Sequence, residues 1–436
     1  MLMAWIGASP PHGGDAKQRG REEEPGARAL AGIRICDLSG QLAGAGATRL
    51  LAALGAQVIR IEDPVRQGRW DLLRGLEPFV DERRGIDFGA GFNNHNVEKL
   101  GVTLNLRSPR GRELFAALVE ISDAVTENFA AGVLARLGFS YDELKAVRSD
   151  IVYVSNSGFG YRGPYREFKS WGPIVQAVCG LTFSSGLAGR EPAGWGYSYM
   201  DHQGANFMAV AILAALIHRE RTGEGQWVDM SCTDAGATLC GPALLDYTAN
   251  GRALRREGMP DSNRSQSPQM APHNVYPARG NDAWLAIACR DESDWRAFVD
   301  VVGEFWTRRA CFGDLAGRLA RQDELDALVA GYTRRFDKFE LAARLRDAGL
   351  PASAVQTPAE RIEDDPGTQA FCLWPTVRHT KMGRVRVDGL PFHLSETDWQ
   401  IERGAPCLGE HNDYVFGELL GLGRDEIIEL RESGVL

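Results

Sequence analysis

The chain has 436 residues, 44% hydrophobic and 25% charged, with a formal charge of −9. That length exceeds what one ordinary core supports, so two domains or one large domain with an insertion are expected. The acidic balance argues against a nucleic-acid partner held by a broad basic surface, and no apolar run reaches the roughly 18 residues that a membrane span needs. Eight cysteines without CxxC spacing or scaffold density fit a reducing, cytoplasmic setting and no metal centre.

Residues 1–30 are rich in Gly, Pro and charge and lack an apolar signal core, which reads as a disordered extension or an overlong start. A large domain is expected over 31–245. IRICDLS (33–39) reads as a buried strand, followed by a Gly/Ala loop, the helix ATRLLAALG and the strand QVIRIE (57–62). The unit recurs as VTLNL (102–106), the helix RGRELFAALVEI and AVTENF (124–129), and IVYVSNSGF (151–159) adds a further strand. Such alternation predicts a parallel sheet with helices on its faces. A long helix is expected over 204–221, buried on most sides along FMAVAILAALI, with a turn and strand in GEGQWVDMSCTDA. Residues 246–272 read as a polar linker, 273–355 as a smaller α/β domain, and 356–436 as a return linker and the C-terminal part of the large domain.

Three segments invite chemistry. DLSGQLAGAGATR follows a strand and opens a helix, where backbone amides can receive a phosphate; Gly40, Gly44 and Gly46 do not form GxGxxG, so close strand–helix packing is the competing explanation. Asp201 stands just before the long helix. As an N-cap it needs no other role, yet helix amides and the positive dipole end also favour the ionised carboxylate that a nucleophile requires. A carboxylate attacks only an activated acyl group such as a thioester, and Gly204 with the helix amides could face the developing oxyanion. His202 is read as structural, and Trp195, Tyr197 and Tyr199 alternate as on a strand. Neither a Gly-x-Ser-x-Gly elbow nor HExxH is present.

Together GIRICDLSGQLAGAGATRLLAALGAQVIRIE, NVEKLGVTLNLRSPRGRELFAALV, VTENFAAGVLARLGFSYDEL, SNSGFGYRGPY, AILAALIHRERTGEGQWVDMSCTDA and LGEHNDYVFGELLGL resemble the family III CoA-transferases, the CaiB/BaiF family, in order and spacing from about residue 31 to the end. The resemblance implies a Rossmann-like large domain and a smaller α/β domain joined by long linkers, in interlocked dimers; a homodimer is expected, with a heteromer as the variant. It places the family's nucleophile at Asp201. It further implies transfer of CoA from a donor thioester, for example succinyl-CoA, to an organic acid, with coenzyme A a substrate and no permanently bound cofactor. By matching position, Leu42, Ala43, Leu104, Asn105, Leu106, Arg107, Asn128, Phe129, Ala130, Arg136, Lys169, Ser170, Trp171 and Gly172 resemble CoA-binding positions, with Arg107, Arg136 and Lys169 meeting phosphates. Three departures stand out. Asp63 replaces an arginine, the glycine-rich loop of oxalate-specific members has no match, and Trp171 stands where related racemases carry histidine. The racemase alternative thereby loses its second acid–base group. The alternatives are an acyl-CoA isomerase/racemase or intramolecular transferase of the same fold and a non-catalytic subunit of a hetero-oligomer.

Overall fold

The computed structural model describes residues 28–187, 189–265 and 267–436; most of the expected N-terminal extension lies outside them. The first strand, β1 (Arg34–Asp37), leads into α1 (Ala43–Ala53) and β2 (Gln57–Glu62). After a long irregular excursion come α2 (Ala90–His95), β3 (Leu100–Thr103), α3 (Pro109–Glu120) and β4 (Ala124–Glu127). The short α4 (Val133–Arg136) and α5 (Tyr141–Val147) precede β5 (Val152–Ser157). Then follow α6 (Gly172–Val178), α7 (Tyr199–Thr222), β6 (Trp227–Ser231), α8 (Cys232–Ala237) and α9 (Gly241–Asn250).

All six strands are parallel, in the order β3-β2-β1-β4-β5-β6. This is the doubly wound order, whose strand sequence reverses direction between β1 and β4. The strands read as unbroken apolar runs because helices cover both faces. On one face Leu114, Phe115 and Leu118 of α3 pack with Val102, Val125 and Tyr153. On the other, α7 contributes Met208, Ile212 and Leu216 against Val58, Val152 and Leu51. Small residues let α7 lie close on α1: a Cβ added at Gly46 would stand 3.1 Å from the Ala205 Cβ. The helix begins five residues before the expected 204. Contrary to the sequence expectation it is long and apolar enough to cross a membrane by length and composition, and its buried face packs in this core.

The described residues between Gly251 and Pro272 are irregular, and α9 runs four residues past the expected start of a linker at 246. A second sheet follows, with β7 (His273–Pro277), β8 (Trp284–Ala288) and β9 (Ala352–Ala354) antiparallel. Between β8 and β9 lie α10 (Glu292–Val302), α11 (Leu315–Ala320), α12 (Gln322–Thr333) and α13 (Lys338–Asp347). They enclose a separate core around Tyr276, Ile287, Phe298, Phe312, Val329 and Leu341. Beyond α14 (Pro366–Ala370), the hairpin β10 (Thr376–His379) and β11 (Gly383–Arg386) packs Val377 with Ala53 and Val97. Ile427 of α15 (Arg424–Glu432), with Phe416 before the helix and Leu436 after it, then rejoins the core of the parallel sheet.

Candidate active site

The site lies at the carboxyl ends of β1 and β4, where the strand order reverses and doubly wound sheets open a crevice. The loop after β1 is pinned to the end of β4 by Asn128, whose carboxamide accepts from the Gly40 amide (2.8 Å) and donates to the Gly40 carbonyl (3.0 Å). Gln41 adopts φ 55°, held by a 3.0 Å bond from its amide to buried Asp71. The glycines answer the choice between phosphate loop and packing in favour of packing. A Cβ at Gly44 would meet the Ser39 Cβ at 2.3 Å and the Asn128 Cγ at 2.8 Å, and one at Gly40 would meet the Trp70 ring at 2.6 Å.

Asp201 is not the N-cap. That position falls to Ser198, which makes no side-chain cap bond, and Asp201 stands in the first turn of α7 with its amide on the Ser198 carbonyl at 3.0 Å. Its carboxyl lines a cavity of about 300 Å³ together with Gln41, Leu42, Ala43, Asn128, Phe129, Ala130, Lys169, Ser170 and Trp171. Burial pushes the Asp201 carboxyl up to about 6, against a hydrogen bond from Ser198 that lowers it. Gly172 does not line the cavity but makes room beside the carboxylate, since a Cβ there would sit 2.7 Å from the Asp201 Oδ2. Gly204 is buried a turn further on, against the Cys232 thiol, and does not line the cavity as an oxyanion donor.

A second pocket of about 420 Å³ adjoins the first and shares Trp70 and Phe129 with it, rings whose centroids are 5.1 Å apart. Leu104, Asn105, Leu106, Arg107 and Arg136 line it, as do Asp63 and Arg66. The side chains of Arg66, Arg107 and Arg136 form no ion pair among the described residues, so three guanidiniums remain available to an anion. Thirteen of the fourteen positions matched to CoA contacts thus fall on two connected pockets, and the fourteenth, Gly172, abuts the carboxylate. Asp63 faces the second pocket where an arginine was expected, but Arg66 brings a guanidinium there three residues later.

Sequence reading missed Gln41, Trp70, Asn156, Phe168 and Cys232 as lining residues. Gln41 sits inside the quoted first motif and could have been found there. Trp70 lies in the excursion after β2, where no periodicity marks it. The approach formed by Trp195, Tyr197 and Tyr199 is not a strand: 191–197 are irregular, and Tyr199 opens α7. His202 turns to Tyr197, whose hydroxyl is 2.8 Å from its Nε2, and does not line the cavity. A larger cleft of about 570 Å³ opens at the other ends of the strands. Two of its arginines are engaged: Arg34 donates to the Gln57 side chain and the Ile121 carbonyl, and Arg403 pairs with Glu98.

A doubly wound sheet with a desolvated carboxyl at its switch point, beside a pocket of unpaired guanidiniums, defines an α/β protein for an anionic, nucleotide-like ligand. Residues 30–412 match the family described as CoA-transferase family III. The chain belongs to that family, and it is a CoA-transferase. It is 30% identical to a succinyl-CoA–D-citramalate CoA-transferase of Chloroflexus aurantiacus over 94% of this chain and 98% of that one. A formyl-CoA:oxalate CoA-transferase of Streptomyces coelicolor is 31% identical, over 94% of this chain and all of its own. Among solved structures, a CaiB/BaiF family protein from Brucella suis superposes with a TM-score of 0.81 at 29% identity, covering 90% of this chain and 100% of that one.

Proposed function

We propose that the protein moves CoA from a donor thioester such as succinyl-CoA to an organic acid, with Asp201 as the covalent carrier. The observation that carries the reading is the Asp201 carboxyl, desolvated in a cavity that continues into the pocket of Arg66, Arg107 and Arg136. A pantetheine arm running between Trp70 and Phe129 would bring its thioester to Asp201 while the guanidiniums hold phosphates outside. The Asp201 oxygen attacks the thioester carbonyl, the C–S bond breaks and CoA thiolate leaves a mixed anhydride. The thiolate then attacks the aspartyl carbonyl, expelling the donor acid and leaving an aspartyl-CoA thioester. The acceptor carboxylate attacks that thioester, CoA thiolate departs, and its return to the acceptor carbonyl frees Asp201. No electron leaves the cycle, and each bond broken is matched by one formed.

Half-buried Ser198 and the aromatic wall of Phe168 and Trp171 border the acyl end, and Lys169 is its only cation among the described lining residues. That chemistry supports an acceptor with an apolar or aromatic body. Family resemblance supports an interlocked dimer, and analytical ultracentrifugation tests it. The mechanism is tested by incubation with succinyl-CoA and hydroxylamine followed by peptide mass mapping. A hydroxamate at Asp201, absent from D201A, is expected; labelling that persists in D201A overturns the mechanism.

A further inference from the structure

Glu127 ends β4, is fully buried, and has no part in the transfer cycle. Its Oε1 accepts from the hydroxyls of Tyr153 (3.0 Å) and Tyr161 (3.1 Å), and its Oε2 accepts from the amide of Phe129 (2.7 Å). These three donors come from three different segments of the chain. Phe129 lines both pockets, between Asn128 and Ala130 on the wall of the Asp201 cavity, and Tyr153 is the second residue of β5. Tyr161 stands in the loop after β5 that continues to Phe168, Lys169, Ser170 and Trp171, on another wall of the Asp201 cavity.

We propose that Glu127 is a positioning residue for acyl-CoA: its carboxylate ties the 128–130 wall to the 158–171 loop, and taking up a proton loosens that tie. The claim rests on reading these walls as the CoA channel. All three partners are hydrogen-bond donors, so they suit an ionised carboxylate, which only accepts. A proton can take the lone pair that the Phe129 amide leaves free on Oε2, but it discharges the carboxylate, and all three bonds then lose the charge assistance that strengthens them.

The surroundings give this carboxyl no cation. From β5 and its loop it meets the two phenols, whose hydroxyls are 3.5 Å apart. From β6 come the Trp227 ring, stacked on Tyr153 and edge-on to Tyr161, and Asp229, which accepts from the Tyr161 amide and lies 3.8 Å from exposed Arg162. Ahead of α4, the Gly132 amide bonds Tyr161. Burial pushes Glu127 up to about 7, against the three donors, so its proton exchanges near neutrality.

The test measures Kd for coenzyme A by calorimetry, and kcat and KM for succinyl-CoA, from pH 6 to 8.5. For the wild type, Kd and KM are expected to rise as pH falls through about 7. For E127Q, which opposes an amide to the Phe129 N–H, both should be raised roughly three- to tenfold at pH 8, the worth of one buried hydrogen bond, and lose that pH dependence, with kcat little changed. Y161F removes one donor and keeps the rest; its midpoint should move to higher pH. A wild-type Kd flat across this range, or an E127Q profile identical to the wild type, overturns the proposal. If E127Q does not fold, an unmoved midpoint in Y161F overturns it. R107A and R136A separate the two readings: if neither weakens CoA binding, the channel itself is misread, whereas weakening in both with an unaltered E127Q removes only the Glu127 tie.

Discussion

Replacing Gly172 by alanine adds one methyl group at the point where α6 meets the carboxyl of Asp201, the proposed nucleophile. The backbone at Gly172 is not left-handed, so alanine can adopt it and the effect is steric alone. The new Cβ would lie 2.7 Å from the Asp201 Oδ2, 2.8 Å from the Ser198 Cβ and 3.0 Å from the Ser198 Cα. The carboxylate can swing aside at little cost, but the Ser198 Cα is backbone, and overpacking against it costs about 1–3 kcal/mol. Turning the Asp201 carboxylate away by about an ångström costs on the order of 100-fold in rate, or about 2.7 kcal/mol of barrier at 1.36 kcal/mol per factor of ten. G172A is therefore expected to fold with a modestly lowered melting temperature and to lose most of its kcat, with KM for succinyl-CoA changing less. Steady-state kinetics and thermal denaturation on the same preparation check this. A G172A enzyme with kcat within twofold of the wild type would refute the reasoning, because the carboxylate would then not depend on the space that glycine leaves.

In the proposed cycle ionised Asp201 is the attacking form, so kcat/KM should fall as pH drops through about 6; S198A, which removes the hydrogen bond that lowers this carboxyl, should move the acid limb upward in a pH–rate profile. Truncating Arg66, Arg107 or Arg136 to alanine should raise KM for succinyl-CoA about tenfold, the worth of one charge-assisted hydrogen bond, and reduce the salt dependence of binding, as measured by titration at several ionic strengths. Glu127 holds its proton to about pH 7 when folded and releases it near 4.5 when unfolded, so its contribution to stability is full below about 4.5 and is lost as pH rises through about 7, a span of ~3 kcal/mol. Urea denaturation of E127Q at pH 5 and 8 should show a smaller difference between the two pH values than the wild type.

The parallel sheet was legible because its strands are buried on both faces: QVIRIE matches β2 residue for residue, and IRICDLS and AVTENF differ from β1 and β4 only at their ends. VTLNL was placed two residues late. β3 begins at Leu100 and stops at Thr103: the Leu104 amide still reaches the Glu62 carbonyl of β2, but the Asn105 amide leaves the sheet for the Val435 carbonyl. That partner lies 330 positions along the chain, beyond what a local pattern can signal. The start of α7 was missed for a related reason: Tyr199 and Met200 extend the helix through tertiary packing of Met200 against Val175 and Cys179, not through a capping side chain.

The same distinction governs the site. Residues inside the quoted motifs could be assigned to pockets, since five of the six motifs contain the end of a strand of the parallel sheet and the sheet order fixes where those ends meet. Trp70 had no such marker, yet it closes the channel against Phe129, and the loop that carries it is fixed by Asp71, which accepts from buried Arg60 (2.6 Å) and the Gln41 amide. Arg60 in turn reaches the Ser39 carbonyl. One buried ion pair therefore sets both the Gln41 turn and the Trp70 wall. D71N leaves Arg60 with Glu62 as its remaining carboxylate, 3.6 Å away, so the loss is less than the about 3–5 kcal/mol of an uncompensated buried charge, but the Gln41 and Trp70 turns lose their anchor and both stability and CoA affinity should fall. If D71N kept wild-type CoA affinity with Trp70 intact, the wall would owe its position to something other than this pair.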